Sequence, residues 1–154
     1  MGCNLGRNLV ARGATLSMFH PPADSFGTQP FRNVASQFPE LQAARVFDDL
    51  QGFAQSLPST RIIFMMVPPG RQVDDFLSTL TPMLSRGDVL IDGSNAHYDD
   101  TTRRVNALKE IGIHLLGCGF SGGDDAILNG PSIMPGGSRE GYEIAAPVLS
   151  LIHI

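Results

Sequence analysis

Apolar residues in this chain come in short runs broken by glycine and proline. Asn4 to Arg12 has helical spacing and ends at Gly13, a residue suited to a helix C-terminus. Ala14 to Phe19 reads as a short strand, stopped by His20-Pro21-Pro22 because proline gives a ladder no donor. Residues 23–43 read as irregular or weakly helical, and Ala44 to Phe47 as a short strand. Asp48 to Leu57 predicts a helix capped by Asp48 or Asp49. Arg61 to Val67 (RIIFMMV) is a continuous apolar run, the pattern of a strand buried on both faces of a parallel sheet. Pro68-Pro69-Gly70 ends it. Gln72 to Leu84 places apolar residues at 73, 76, 77, 80 and 84, a helical stripe with Gly87 as its stop. Asp88 to Asp92 is a second buried strand, and Asp99 to Ile111 a polar-faced helix closed by Gly112. Ile113 to Leu116 is a further strand and Ser138 to Leu149 a terminal helix. This alternation predicts an α/β fold with a doubly wound, mainly parallel sheet.

The 154 residues suffice for one domain with a real core. A net charge of −4, with 11 basic residues scattered along the chain, argues against nucleic acid as a partner. No apolar run reaches the roughly 18–20 residues that span a bilayer, so no membrane partner is expected. No export signal is visible, which predicts a cytoplasmic protein whose Cys3 and Cys118 are free thiols.

In such sheets ligands bind beyond the carboxyl ends of strands. Here those positions are His20-Pro21-Pro22, Val67-Pro68-Pro69-Gly70, Gly93-Ser94-Asn95 and Gly117-Cys118-Gly119. Any one of them is explained as well by the needs of a tight turn. The glycine-dense stretch from Gly117 to Gly137 is more informative. Its Ser121-Gly122-Gly123 offers a hydroxyl and successive amides, a set that forms anion-binding concavities. Leu116, Ile133 and Met134 are expected to be buried and to hold this loop. Asp124-Asp125 could act as an acid–base pair but fits a helix start better. His97, His114 and His153 lack metal-ligand spacing, so no metal is expected, and His114 reads as structural. Arg103-Arg104 could steer an anion but reads better as a solvated helix face.

The string SGGDDAILNGPSIMPGG resembles the SGGEEGA…GPSxMPGG signature of decarboxylating 6-phosphogluconate dehydrogenases. MGCNLGRNLVARGATLSMF resembles that family's MGxNLALNxxxxGxxV, VLIDGSNAHYDDTTRR its IIIDGGNxxYxDTxRR, and the terminal helix its GGxxEAYexxxPIL. The resemblance implies a Rossmann-like NADP-binding domain over residues 1–149. The family's activity is oxidation and decarboxylation of 6-phosphogluconate to ribulose 5-phosphate in the pentose phosphate pathway, and its members are homodimers. It implies cofactor contacts for Gly2, His20, Pro21, Pro22, Val67, Pro68, Pro69 and Asn95. It implies substrate contacts for Asn95, Ser121, Gly122 and Gly123. Related β-hydroxyacid dehydrogenases share the SGG core, and a non-catalytic nucleotide-binding remnant is another class the residues leave open.

The sequence also departs from the pattern. The family's first strand and first fingerprint glycines are expected ahead of Met1, so the sheet should lack its first strand. Where the family carries Asn-Arg-Thr to read the 2′-phosphate, this chain has His20-Pro21-Pro22; Arg7, Arg32 or His20 are the substitutes at hand. Pro68 stands for a common lysine and Ser94 for a common glycine. The resemblance places the catalytic lysine and the helical domain beyond Ile154, so no catalytic residue is assigned here and the fragment alone is expected to be inactive. Residues 150–154 are expected to be a non-native tail, since LSLIHI matches a translated transposon-end adapter.

Overall fold

The computed structural model describes residues 1–21 and 36–153. Along the chain run α1 (Gly2–Ala11), β1 (Ser17–Phe19), β2 (Arg45–Phe47), α2 (Leu50–Ser56), β3 (Ile62–Met65), α3 (Arg71–Leu80), β4 (Val89–Asp92), α4 (Tyr98–Glu110), β5 (His114–Ser121), α5 (Asp124–Asn129), β6 (Ser132–Gly137) and α6 (Arg139–Ile152). Short 3₁₀ turns occupy Pro39–Ala43 and Thr81–Met83.

β1 pairs with β2 in parallel, and β3, β4 and β5 form a parallel ladder that β6 closes antiparallel. The two pieces share their packing. Leu16 sits against the cluster of Leu5, Leu9, Ile91 and Leu149, while Phe19 and Phe47 sit against that of Ile63, Met65, Leu77 and Leu90. The fold is thus α/β and doubly wound as expected, its described strands forming two separate ladders. β4 shows why both faces need helices. Val89 and Ile91 face the α1/α6 side, Leu90 faces the α2/α3/α4 side, and all three are fully buried.

Local signals explain the boundaries. Asp49 caps α2 by accepting from Gly52 N. Gly13, Gly87 and Gly112 turn the chain with φ of 87°, 90° and 78°. The Ala14–Phe19 strand shrinks to Ser17–Phe19, the residues in register with Arg45–Phe47 of β2.

The largest correction is the glycine-dense stretch, which is ordered structure rather than a loop. β5 runs on to Ser121, α5 follows, and β6 returns with Leu116 opposite Gly137 and Ser121 opposite Ser132. Leu116 is buried and half-buried Ile133 packs against the same core cluster, but Met134 is 54% exposed. Backbone pairing and Ile133 together hold the segment. The terminal helix also runs past Leu149 to Ile152, whose side chain is fully buried against α1 and the sheet.

Candidate functional site

The carboxyl ends of β3, β4 and β5 meet the start of α1. A Cβ on Gly2 would stand 3.5 Å from Met66 Cβ, and one on Gly93 2.6 Å from Met66 Sδ and 3.0 Å from the Phe120 ring. A side chain on Gly93 would therefore have to displace the Met66 thioether and crowd the Phe120 ring, so this turn is closely packed. At the other side of α1, Met1 N lies 3.5 Å from Asp124 Oδ1 and Asn4 Nδ2 donates to Asp124 O at 3.2 Å. Buried Asn8 donates to Ile127 O at 2.9 Å. These contacts fasten the start of α1 beside the Ser121-Gly122-Gly123 turn.

No side chain caps α1, and its first turn carries no acid. Its first amides are consequently available to an anion at the end where the helix dipole is positive. Ser121, Gly122 and Gly123 are all exposed, and Gly122 has φ 114°. A side chain there would meet Ala126 Cβ at 2.3 Å, so the turn requires glycine at 122.

Asn95 is one of two non-glycine residues with positive φ among the described residues, at 57°. Its Oδ1 accepts from Phe120 N at 3.1 Å. The partner is an N–H, so the side-chain oxygen is fixed toward β5 and Nδ2 toward the other side. Among the described residues Nδ2 donates to nothing within the chain. Beside Asn95 a cavity of about 1030 Å³ opens between α4 and the β5–β6 face, lined by Asp92, Thr101, Gly117, Gly119 and Gly136. The Ser121 turn does not line it.

The structure thus gathers Gly2, Asn95 and Ser121 to Gly123 at one edge, with Val67 half-buried and Pro68 and Pro69 exposed on the next turn. His20 and Pro21 follow β1 in the other ladder, with His20 Nδ1 2.7 Å from Pro21 O. Pro22 and Arg32 lie outside the described residues. Arg7 donates to Glu40 Oε1 at 2.9 Å and stacks 4.3 Å over Phe38, so it is committed away from the role of phosphate reader.

Sequence reasoning missed one cluster. Arg104 is not on a solvated face: it is 2% exposed and binds Asp74, while Arg103 stays exposed on the same carboxylate. The hydrogen bond from Arg104, then that from Arg103, holds the Asp74 carboxyl well below the usual range. The signal was Asp92, a carboxylate ending an otherwise apolar buried strand, which calls for a cation nearby. Asp124 and Asp125 lie in the first turn of α5, at the helix start. His114 Nδ1 sits 3.0 Å from Ser138 Oγ, the cap of α6. Both cysteines are free, and burial pushes the Cys118 thiol up to about 11. No helix among the described residues is long and apolar enough to cross a membrane.

The chain is 41% identical over 152 residues to a decarboxylating 6-phosphogluconate dehydrogenase of Bacillus licheniformis, covering 99% of this chain and 31% of that protein. It is 42% identical to the NAD(+)-dependent enzyme of Bacillus subtilis (strain 168) and 39% identical to the NADP(+)-dependent one, each over 99% of this chain and 31% of the relative. The chain therefore spans about a third of the length of these curated relatives. Among solved structures it superimposes on Plasmodium falciparum 6-phosphogluconate dehydrogenase with a TM-score of 0.89 at 24% identity, covering 100% of this chain and 32% of that one. A 3-hydroxyisobutyrate dehydrogenase of Mycobacterium tuberculosis shares the fold at a TM-score of 0.77, over 99% of this chain and 48% of that one. The family profile described as the NAD binding domain of 6-phosphogluconate dehydrogenase matches residues 1–153, and the chain belongs to that family.

Proposed function

We propose that this chain is the cofactor-binding part of a 6-phosphogluconate dehydrogenase and holds a nicotinamide dinucleotide along the carboxyl ends of its strands. The observation that carries this is Asn95. Its left-handed backbone and its bond to Phe120 N aim one amide N–H donor out of the turn, close to the exposed Ser121 side chain and the exposed Gly122 and Gly123. In this reading the α1 amides face the pyrophosphate and the turn from Val67 to Pro69 passes the cofactor. Asn95 Nδ2 donates to an oxygen of the nicotinamide amide or of the substrate. Ser121 Oγ and the Gly122 and Gly123 amides hold 6-phosphogluconate oxygens. When bound, the dinucleotide supplies the hydride acceptor. What this chain supplies is orientation, worth several kcal/mol in such reactions.

NADP is the proposed cofactor, supported by the Plasmodium falciparum enzyme, whose structure was solved in complex with its cofactor NADP+. The NAD(+)-dependent Bacillus subtilis relative weighs the other way, as does Pro21 in place of arginine. With Arg7 held by Glu40, His20 and Arg32 are the remaining candidates to meet a 2′-phosphate. The proposed reaction, oxidative decarboxylation to ribulose 5-phosphate, draws its proton chemistry from groups not assigned in residues 1–154. Homodimerisation and a cytoplasmic location belong to the same proposal.

The test is titration of the purified chain with NADPH and with NADH, followed by nicotinamide fluorescence, together with a turnover assay on 6-phosphogluconate. Saturable binding without turnover is expected, and tighter binding of NADPH. Absence of binding to either dinucleotide sinks the proposal; tighter NADH binding removes only the choice of NADP.

A further inference from the structure

Arg104 sits in the middle of α4, yet its polar contacts lie at the start of α3 and the end of β4. Nε and Nη2 donate to the two Asp74 oxygens at 2.9 and 3.0 Å, and Nη2 also donates to Gly70 O at 2.9 Å. Asp74 is in the first turn of α3, and Gly70 is the residue that starts it, with φ 97°. One guanidinium therefore grips the turn after β3 by its backbone and by its helix. A planar fork can do this where an ammonium cannot.

On its other side Nη1 stands 3.7 Å from Asp92 Oδ2. Asp92 is 2% exposed, and its Oδ1 accepts from Ser94 N at 3.0 Å. That bond folds the turn from Gly93 to Asn95 back on the end of β4. The Asp92 contact is charge attraction without a direct hydrogen bond, unlike the bidentate grip on Asp74. Removing the cation would leave a buried carboxylate uncompensated beside that turn.

We propose that Arg104 is a positioning residue that sets the turn from Pro68 to Gly70 and the turn from Gly93 to Asn95 at a fixed spacing. Its functional consequence rests on the cofactor reading above. The nicotinamide end of the ligand would lie against both turns, so their spacing governs how well that end is held. The adenosine end would lie against α1 and β1, which Arg104 does not touch.

The experiment uses the full chain with Arg104→Met, which removes the charge, and Arg104→Lys, which keeps the charge without the fork. Backbone amide exchange is followed residue by residue, and affinities are measured for NADP and for 2′,5′-ADP, which carries only the adenosine end. The expected result is faster exchange at residues 70–73 and 93–95 together, with the β5 core amides unchanged. NADP affinity should fall by roughly 10- to 100-fold, the range for loss of charge-assisted bonds, while 2′,5′-ADP affinity stays within about twofold. Arg104→Lys should fall between wild type and Arg104→Met, and it decides the matter if Arg104→Met unfolds. Protection retained at both turns, loosening of one turn alone, or equal losses for both ligands overturns the proposal. If the wild-type chain binds neither ligand, the cofactor reading fails and the exchange pattern alone decides on Arg104.

Discussion

Replacing Asn95 separates its backbone role from its side-chain role. The residue holds φ at 57° and gives Phe120 N its acceptor at 3.1 Å. Asn95→Ala loses that bond, which costs about 1 kcal/mol for a partly exposed neutral pair. It also places a Cβ residue without asparagine's local bonding in the left-handed region, about 1 kcal/mol more. The expected destabilisation is about 2 kcal/mol. Asn95→Gly loses the same bond but tolerates the backbone, so it should cost about 1 kcal/mol. Both variants should lose dinucleotide affinity alike, because both lack Nδ2. Urea unfolding followed by far-ultraviolet circular dichroism measures the stabilities, and nicotinamide fluorescence measures binding. If glycine is no more stable than alanine, the strained-backbone argument is wrong. If both variants bind as wild type does, Asn95 does not face the ligand.

Other consequences follow from buried polar groups. Asp88 is 1% exposed and accepts from Arg61 N, Ser85 N and Arg61 Nη1 at 2.8, 2.9 and 2.9 Å, so Asp88→Ala should cost about 3–5 kcal/mol in urea unfolding. Burial is the largest influence on the Asp88 carboxyl and acts upward, but the Ser85 and Arg61 bonds together outweigh it and lower the pKa. Asp74 is lowered too, by Arg104 and then Arg103. Folded values below the ordinary 3.8 mean that this stability is complete above that pH and is lost as pH falls below it. Acid unfolding followed by circular dichroism should therefore steepen there, and Asp74→Asn should flatten the slope. The thiol of Cys118, buried and raised to about 11, should resist a thiol reagent at mildly alkaline pH until urea unfolds the chain, whereas half-buried Cys3 reacts first.

The parts of the fold that were legible were those where side-chain chemistry dictates the backbone. RIIFMMV and DVLID read as buried strands, the second fully buried and the first half-buried at alternate residues, and Gly13, Gly87 and Gly112 marked turns at which each adopts positive φ. The stretch after Gly117 was misread because glycine density usually means a loop. Here the glycines serve packing: a Cβ on Gly117 would meet Thr101 Cγ2 at 2.4 Å, and one on Gly137 would meet Leu115 O at 2.7 Å. The β5–β6 ladder is made by backbone groups, which leave no trace in an apolar pattern. The Ser121 turn was marked by its hydroxyl and successive amides and Asn95 by its place after a strand, the motif resemblance then implying their roles, and the structure adds which side-chain atom of Asn95 is committed. Arg104 was missed because an arginine pair on a polar helix looks solvated. Only the three-dimensional meeting of α3, α4 and the end of β4 shows that one of the two is buried.

The most direct test of the central claim is to map where a dinucleotide binds. Amide chemical shifts of the labelled chain, followed during titration with NADPH, should move in a saturable way. The shifts should concentrate at Gly2, Val67 to Gly70, Gly93 to Asn95 and Ser121 to Gly123. Saturable shifts centred elsewhere, for instance on the groove between α3 and α4 around Ser78 and Arg86, or no saturable shift at all, would contradict the account.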